Sequence, residues 1–168
     1  MTTTQPQLLH QSLNPADVVY TPKWVVQDML DFFKPTGRIL EPSSGRGAFL
    51  RYLPGADWCE IEQGRDFFQC HDQYNWIIGN PPYSIYTKFL HHSFDVAENI
   101  VYLVPCNKPF NSLGLLKLVK TWGGIVHMRI YGAGKSKPIP FPIGFAMGAI
   151  HYQRGYTGPM YTSFHENL

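Results

Sequence analysis

Charge is scarce in this chain. Charged residues make up 15% of the 168, against about 25% in ordinary soluble proteins, and 14 Lys and Arg against 12 Asp and Glu leave a net charge of only +2. That balance excludes a strongly basic nucleic-acid coat and an acidic tail, while permitting a local basic patch. Cysteine is scarcer still. Cys59, Cys70 and Cys106 cannot all pair and none stands in a C-x-x-C, so neither a disulfide scaffold nor a structural zinc is expected. Cys70-His71-Asp72 carries ligand-type side chains, but adjacent residues rarely converge on one ion. Buried free thiols are the expected state, and no metal is expected. No apolar run approaches the ~18 residues that span a bilayer, and residues 1–13 are polar, without the apolar stretch of a secretory leader. The expectation is a soluble, cytoplasmic protein of one domain. What the chain does have is 44% hydrophobic and 15% aromatic residues, enough to build a core.

The apolar pattern alternates between two periods. Residues 22–33 place Val25, Val26, Met29, Leu30 and Phe33 at helical spacing, with Thr21 as N-cap and Pro22 in the first turn. Residues 38–41 read as a strand ended by Pro42, and residues 45–53 as a helix behind a Ser-Ser-Gly turn. Strands follow at 57–62 and 76–79, a helix at 84–96, a strand at 100–104, a helix at 113–122, and strands at 124–131 and 145–152. Strands separated by helices predict an α/β fold with a mostly parallel sheet and helices on both faces. The last two strands meet without a helix, so an antiparallel edge hairpin is expected, joined through the Pro-rich loop 135–142. The tail after Gly155 is expected to pack loosely.

Two constellations carry chemistry. The stretch Glu41-Pro42-Ser43-Ser44-Gly45-Arg46-Gly47 lies directly after a strand and opens a predicted helix. Gly45 and Gly47 admit a ligand where a Cβ would exclude it, and N–H groups at a helix start suit a carboxylate or phosphate. The same residues also read as a tight strand-to-helix turn. They are not a phosphate loop, because no G-K-[ST] follows and the full G-x-G-x-x-G spacing is missing. The second constellation, Asn80-Pro81-Pro82-Tyr83, follows the apolar strand 76–79, at the carboxyl end of a strand where open α/β sheets gather ligands. Two prolines stiffen the backbone after Asn80, and Tyr83 sets an aromatic face beside two acceptors. An amino group on a planar ring needs that arrangement.

These motifs, in this order and about forty residues apart, resemble the Rossmann-like, S-adenosylmethionine-dependent amino-methyltransferases, above all the DNA adenine-N6 enzymes with an E-P-x-x-G-x-G cofactor motif and an N-P-P-Y catalytic motif. Tyr20-Thr21-Pro22-Lys23-Trp24-Val25-Val26-Gln27-Asp28-Met29 is similar to that group's T-P-x-x-V-x-x-x-M segment. The likeness runs over residues 18–155, leaving an N-terminal arm (1–17) and a C-terminal tail (156–168). It implies S-adenosyl-L-methionine as cofactor. Thr21 and Pro22 would hold its methionine part, and Glu41, Pro42, Ser43, Gly45 and Gly47 would surround its amino-acid end. Glu60, with Ile61 beside it, resembles the acid that binds the ribose hydroxyls, Glu62 being the alternative. Asp66 and Phe67 resemble the pair that reads the cofactor's adenine, and Asn80 is implied to touch the cofactor as well.

The catalytic set implied is Asn80, Pro81, Pro82 and Tyr83. The Asn80 side-chain oxygen and the Pro81 carbonyl would accept the two N6 hydrogens of adenine, and Tyr83 would stack on the extruded base. Phe141 would face Tyr83 across that base, with Lys135, Lys137 and Lys108 touching phosphates. The loop bearing the first three reads equally as a Pro-rich connection with solvated lysines. DNA, duplex or single-stranded, is the implied partner, in a prokaryotic or phage-infected cell, as in restriction-modification. No separate target-recognition domain is visible, so low sequence specificity, a homodimer or a separate specificity partner is expected. RNA adenine or a protein glutamine amide as acceptor, or a non-catalytic subunit of a larger complex, are the other readings.

Overall fold

The computed structural model describes residues 20–133 and 145–166. The expected N-terminal arm and the roles placed on Lys135, Lys137 and Phe141 lie outside the described residues. Ten regular elements follow in order: α1 (Lys23–Phe33), β1 (Ile39–Glu41), β2 (Asp57–Trp58), β3 (Tyr74–Gly79), α2 (Tyr86–Val96), β4 (Ala97–Pro105), α3 (Leu113–Trp122), β5 (Gly123–Ala133), β6 (Ala146–Arg154) and β7 (Tyr161–Phe164). The seven strands form one sheet in the order β2-β1-β3-β4-β6-β5-β7. β2, β1, β3 and β4 run parallel, whereas β6 is antiparallel to both β4 and β5.

Central strands covered on both faces carry uninterrupted apolar runs, because neither face meets water. Ile77, Ile78, Ile100, Val101, Leu103, Val104, Ala149 and Ile150 are accordingly fully buried. Two neighbours on β6 show which helix lies on which face. His151 packs against Phe33 of α1 and stacks on Trp76, while Tyr152 meets Phe94 and Tyr86 of α2. α3 joins the second face through Trp122, stacked on Phe94 at 4.2 Å. Helices therefore cover both sides, and the expected Rossmann-like layering is present. Among the described residues, no helix is long and apolar enough to cross a membrane.

Three local expectations need correction. Residues 45–53 form a chain of turns instead of a helix. Gly45 and Gly47 both hold positive φ, 51° and 73°, and Pro54 biases Leu53 away from helical backbone. The few residues between offer too little length to repay helix nucleation. The strand expected over 57–62 stops at Trp58. Glu60 instead bridges Arg65 across a turn closed by Gly64 at φ 74°, and Glu62 lies in that turn. The tail is not loose from end to end. β7 pairs in parallel with β5 from His127↔Tyr161 to Ile130↔Phe164, so β5 is not the sheet edge.

A polar clasp secures β7. Asp28 of α1 accepts Nε and Nη2 of Arg129, each at 2.7 Å, and the Tyr131 hydroxyl at 2.8 Å. His165, just past β7, brings Nε2 within 3.6 Å of the same carboxylate and packs on Trp24 at 4.8 Å.

Candidate active site

Parallel strands deliver their following loops to one edge of the sheet, and β1 and β3 are neighbours there. The loop after β1 holds Glu41 to Gly47 and the loop after β3 holds Asn80 to Tyr83, so the two constellations meet. The approach is close: a Cβ on Gly79 would lie 3.3 Å from the Pro42 ring and 3.7 Å from Glu41 Cγ.

Asn80 is gripped from two sides. Its Nδ2 donates to Thr21 Oγ1 at 3.1 Å, and the Ser43 hydroxyl donates to its backbone carbonyl at 3.1 Å. Thr21 therefore does not cap α1, whose N-cap is Pro22 without a side-chain bond. Its hydroxyl binds across the site instead. Two segments far apart in sequence thus reach one residue, at its side-chain amide and at its backbone carbonyl. Pro81 and Tyr83 are buried and Pro82 is half-buried, and the chain enters a 3-10 turn at Tyr83–Ile85.

The glycine loop is wired by two acids. The Glu41 carboxylate is 2% exposed and lies near the backbone N–H groups of Phe49 and Leu50, which favour its charged form. These groups belong to the segment expected to be a helix, which is a chain of turns here, so no helix start faces the loop. Burial above all, with the nearby negative charge of Glu60 added, outweighs that influence and pushes the Glu41 carboxyl up to about 8. Its Oε2 has no hydrogen-bond partner among the described residues. Glu60, also buried, accepts the Gly45 N–H at 2.6 Å and the Glu62 N–H at 3.3 Å. A carboxylate offers about four lone-pair sites, so Glu60 retains capacity for further donors.

Beside these acids the surface suits a ligand. A Cβ on Gly45 would meet nothing within 4 Å, and Ile61 exposes 46% of its surface. Asp66 accepts the Phe68 N–H at 2.9 Å and caps the short turn Phe67–Gln69. Phe67 is 3% exposed and packs on Phe89 at 4.9 Å and His92 at 4.7 Å. Lys108, in the loop after β4, donates from Nζ to the Tyr83 carbonyl at 2.9 Å. Thr21 and Ser43, which the resemblance sets against a cofactor, both grip Asn80. A contact between residues 59 positions apart leaves no local signal.

No protein-family model matches the chain, and no curated protein matches its sequence significantly. The fold does have relatives among solved structures. A candidate class I S-adenosylmethionine-dependent methyltransferase from Listeria monocytogenes superposes with a TM-score of 0.63 at 10% identity, covering 92% of this chain and 68% of that one. The modification subunit of a candidate type I restriction enzyme from Vibrio vulnificus YJ016 gives 0.58 at 13% identity, covering 89% of this chain and 48% of its own. This chain therefore spans about half the length of that subunit. Magnesium protoporphyrin IX methyltransferase from Synechocystis, with bound S-adenosylmethionine, gives 0.54 at 12% identity, covering 79% of each chain. At such identities the likeness speaks for architecture, and the architecture is that of the Rossmann-like S-adenosylmethionine-dependent methyltransferases.

Proposed function

We propose that this chain binds S-adenosyl-L-methionine and transfers its methyl group to the exocyclic N6 of adenine in DNA. The observation that carries the reading is the doubly gripped Asn80 at the carboxyl end of β3, beside the acid-wired glycine loop.

The residues present fit the cofactor. Glu41 has a buried oxygen without a hydrogen-bond partner among the described residues, suited to a cationic ammonium group. Glu60 has lone pairs for hydroxyl donors, Gly45 lies beside open space, and Ile61 offers an exposed apolar side chain for a flat ring. When bound, the cofactor supplies a methyl group made electrophilic by its sulfonium. A positive charge near Glu41 would favour its charged form, against the burial that raises its pKa.

Adenine N6 is a weak nucleophile because its lone pair is delocalised into the ring. The Asn80 side-chain oxygen and the Pro81 carbonyl would accept its two hydrogens and localise that lone pair on N6; as the N6–methyl bond forms, the methyl–sulfur bond would break to leave a neutral thioether, and N6 would lose one proton to solvent. With Nδ2 donating to Thr21, the Asn80 amide presents its oxygen to the base. Tyr83 takes the base's flat face. Positioning and fixed dipoles supply the rate. The structural likeness to a restriction-enzyme modification subunit supports DNA as the acceptor and recognition shared with a separate specificity partner.

Incubation with labelled S-adenosylmethionine and a panel of duplex DNA, single-stranded DNA, RNA and protein tests the reading, followed by nucleoside analysis of the product. Label as N6-methyladenine in DNA is expected. Label confined to RNA or protein overturns the DNA assignment, and failure to bind the cofactor by calorimetry overturns the enzyme reading.

A further inference from the structure

The loop from Asn80 to Tyr83 cannot hold itself. Pro81 and Pro82 have no N–H to donate, so its shape depends on partners from elsewhere. Among the described residues three segments supply them: Thr21 accepts from the Asn80 side-chain amide, Ser43 donates to the Asn80 carbonyl, and Lys108 donates to the Tyr83 carbonyl. The first two anchor the start of the loop. Lys108 anchors its far end, where the chain turns into the 3-10 segment Tyr83–Ile85.

Lys108 is suited to that task. β3 and β4 are paired neighbours, so the loops that follow them lie side by side. Lys108 opens a short turn, Lys108–Phe110, in which Pro109 is buried, and this fixes where its stem begins. A bond from an ammonium is charge-assisted, shorter and about twice as strong as a neutral one. Its 2.9 Å contact crosses 25 residues of sequence. We propose that Lys108 is a positioning residue, which acts through the Tyr83 carbonyl to hold the catalytic loop in register. The proposal rests on the methyl-transfer reading for its kinetic consequence but not for its structural one. A phosphate contact is the competing role for this side chain, and the two roles differ in what they move.

The test compares Lys108→Met, which keeps the stem and removes the donor, with Lys108→Arg, which restores a cationic donor, and with Lys108→Gln should the first not fold. Amide hydrogen exchange over residues 83–87 is read in the S-adenosylmethionine-bound chain, and single-turnover methyl transfer and DNA binding are read against salt. Lys108→Met is expected to quicken exchange in that segment and to slow single turnover by about 10–100-fold, the scale on which small misplacements act. Cofactor affinity and the salt slope of DNA binding should stay unchanged, and Lys108→Arg should recover both exchange and rate. Unchanged exchange in Lys108→Met overturns the proposal. So does a normal rate at saturating DNA with a salt slope reduced by about one, the mark of a lost phosphate contact. If the wild-type chain methylates no DNA, the functional reading falls, and the exchange comparison alone upholds or overturns the clamp.

Discussion

Two clusters of charge in this molecule are built on opposite principles. In the clasp between α1, β5 and β7, Asp28 receives two guanidinium bonds and a hydroxyl. Arg129, satisfied by Asp28, also reaches Ser163 and the Phe164 carbonyl at 3.4 Å. Burial works to raise the Asp28 carboxyl, but the bonds from Arg129 and Tyr131 and the charges of Arg129 and His165 prevail and hold it below the usual carboxylate range. At the loop edge of β1 and β3, Glu41 is more deeply buried, faces another acid, and is pushed the other way. A carboxylate with matched donors stabilises a fold, whereas one beside a like charge with an unmatched oxygen costs stability and persists where a ligand completes it.

The largest expected effect removes Asn80, which lies at the same sheet edge as the second cluster and is held by Thr21 and Ser43. Asn80→Ala should lower single-turnover methyl transfer by about 10³-fold or more, while calorimetry still finds the cofactor bound. An active variant would refute the assigned mechanism.

Next in size is loss of the clasp. Asp28→Ala leaves Arg129 half-buried without its carboxylate, and urea unfolding should show a loss of about 3–5 kcal/mol, the scale for breaking such a pair. The wild-type contribution has a definite pH sign. Because the folded pKa lies below the unfolded one, the stabilisation is present above the ordinary carboxylate range and fades as pH falls through it. Stability that held steady through that acid range would contradict the clasp.

Glu41→Gln should act in the opposite sense. The Glu41 pKa is raised to about 8, so its burial costs nothing in acid and progressively more as pH rises toward that value. The variant should be more stable than wild type by about 1–3 kcal/mol at pH 8, with the gain gone by pH 4, and it should bind S-adenosylmethionine more weakly. Equal stability at both pH values would show that Glu41 is not held as described. The smallest effect belongs to a third group of charges. Arg38 contacts both Asp57 and Asp72, and all three are well exposed. Asp72→Asn should leave the unfolding midpoint where it was, because solvent screens exposed pairs.

Much of this was legible along the chain. α3 runs from Leu113 to Trp122 as its period predicts, and α1 differs from expectation by one residue at its start. Long amphipathic patterns survive in the fold because burying one face is itself the force that forms the helix. The segments that differ from expectation, 45–53 and 59–62, are short and lie among Gly45, Gly47 and Gly64 at positive φ. There the backbone follows the acids that collect its N–H groups instead of any repeat. β7 was illegible for a related reason. Its residues are mostly exposed, and what places it is pairing with β5 and the reach of Arg129 to Ser163 and Phe164.

Scarce charge, three unpaired cysteines and two apolar periods pointed to a layered α/β chain, and the ordered motifs marked Asn80 and Glu41 as residues of interest. Those conclusions rest on local chemistry, which a sequence carries in its spacing. Tertiary structure alone decided that Thr21 and Ser43 grip Asn80, that Lys108 reaches Tyr83, and that Glu41 and Asp28 lie on opposite sides of the ordinary carboxylate pKa. The reason is electrostatic. A carboxylate's free energy depends on the donors and charges within a few ångströms of it, and in a folded chain those neighbours come from residues far away in sequence.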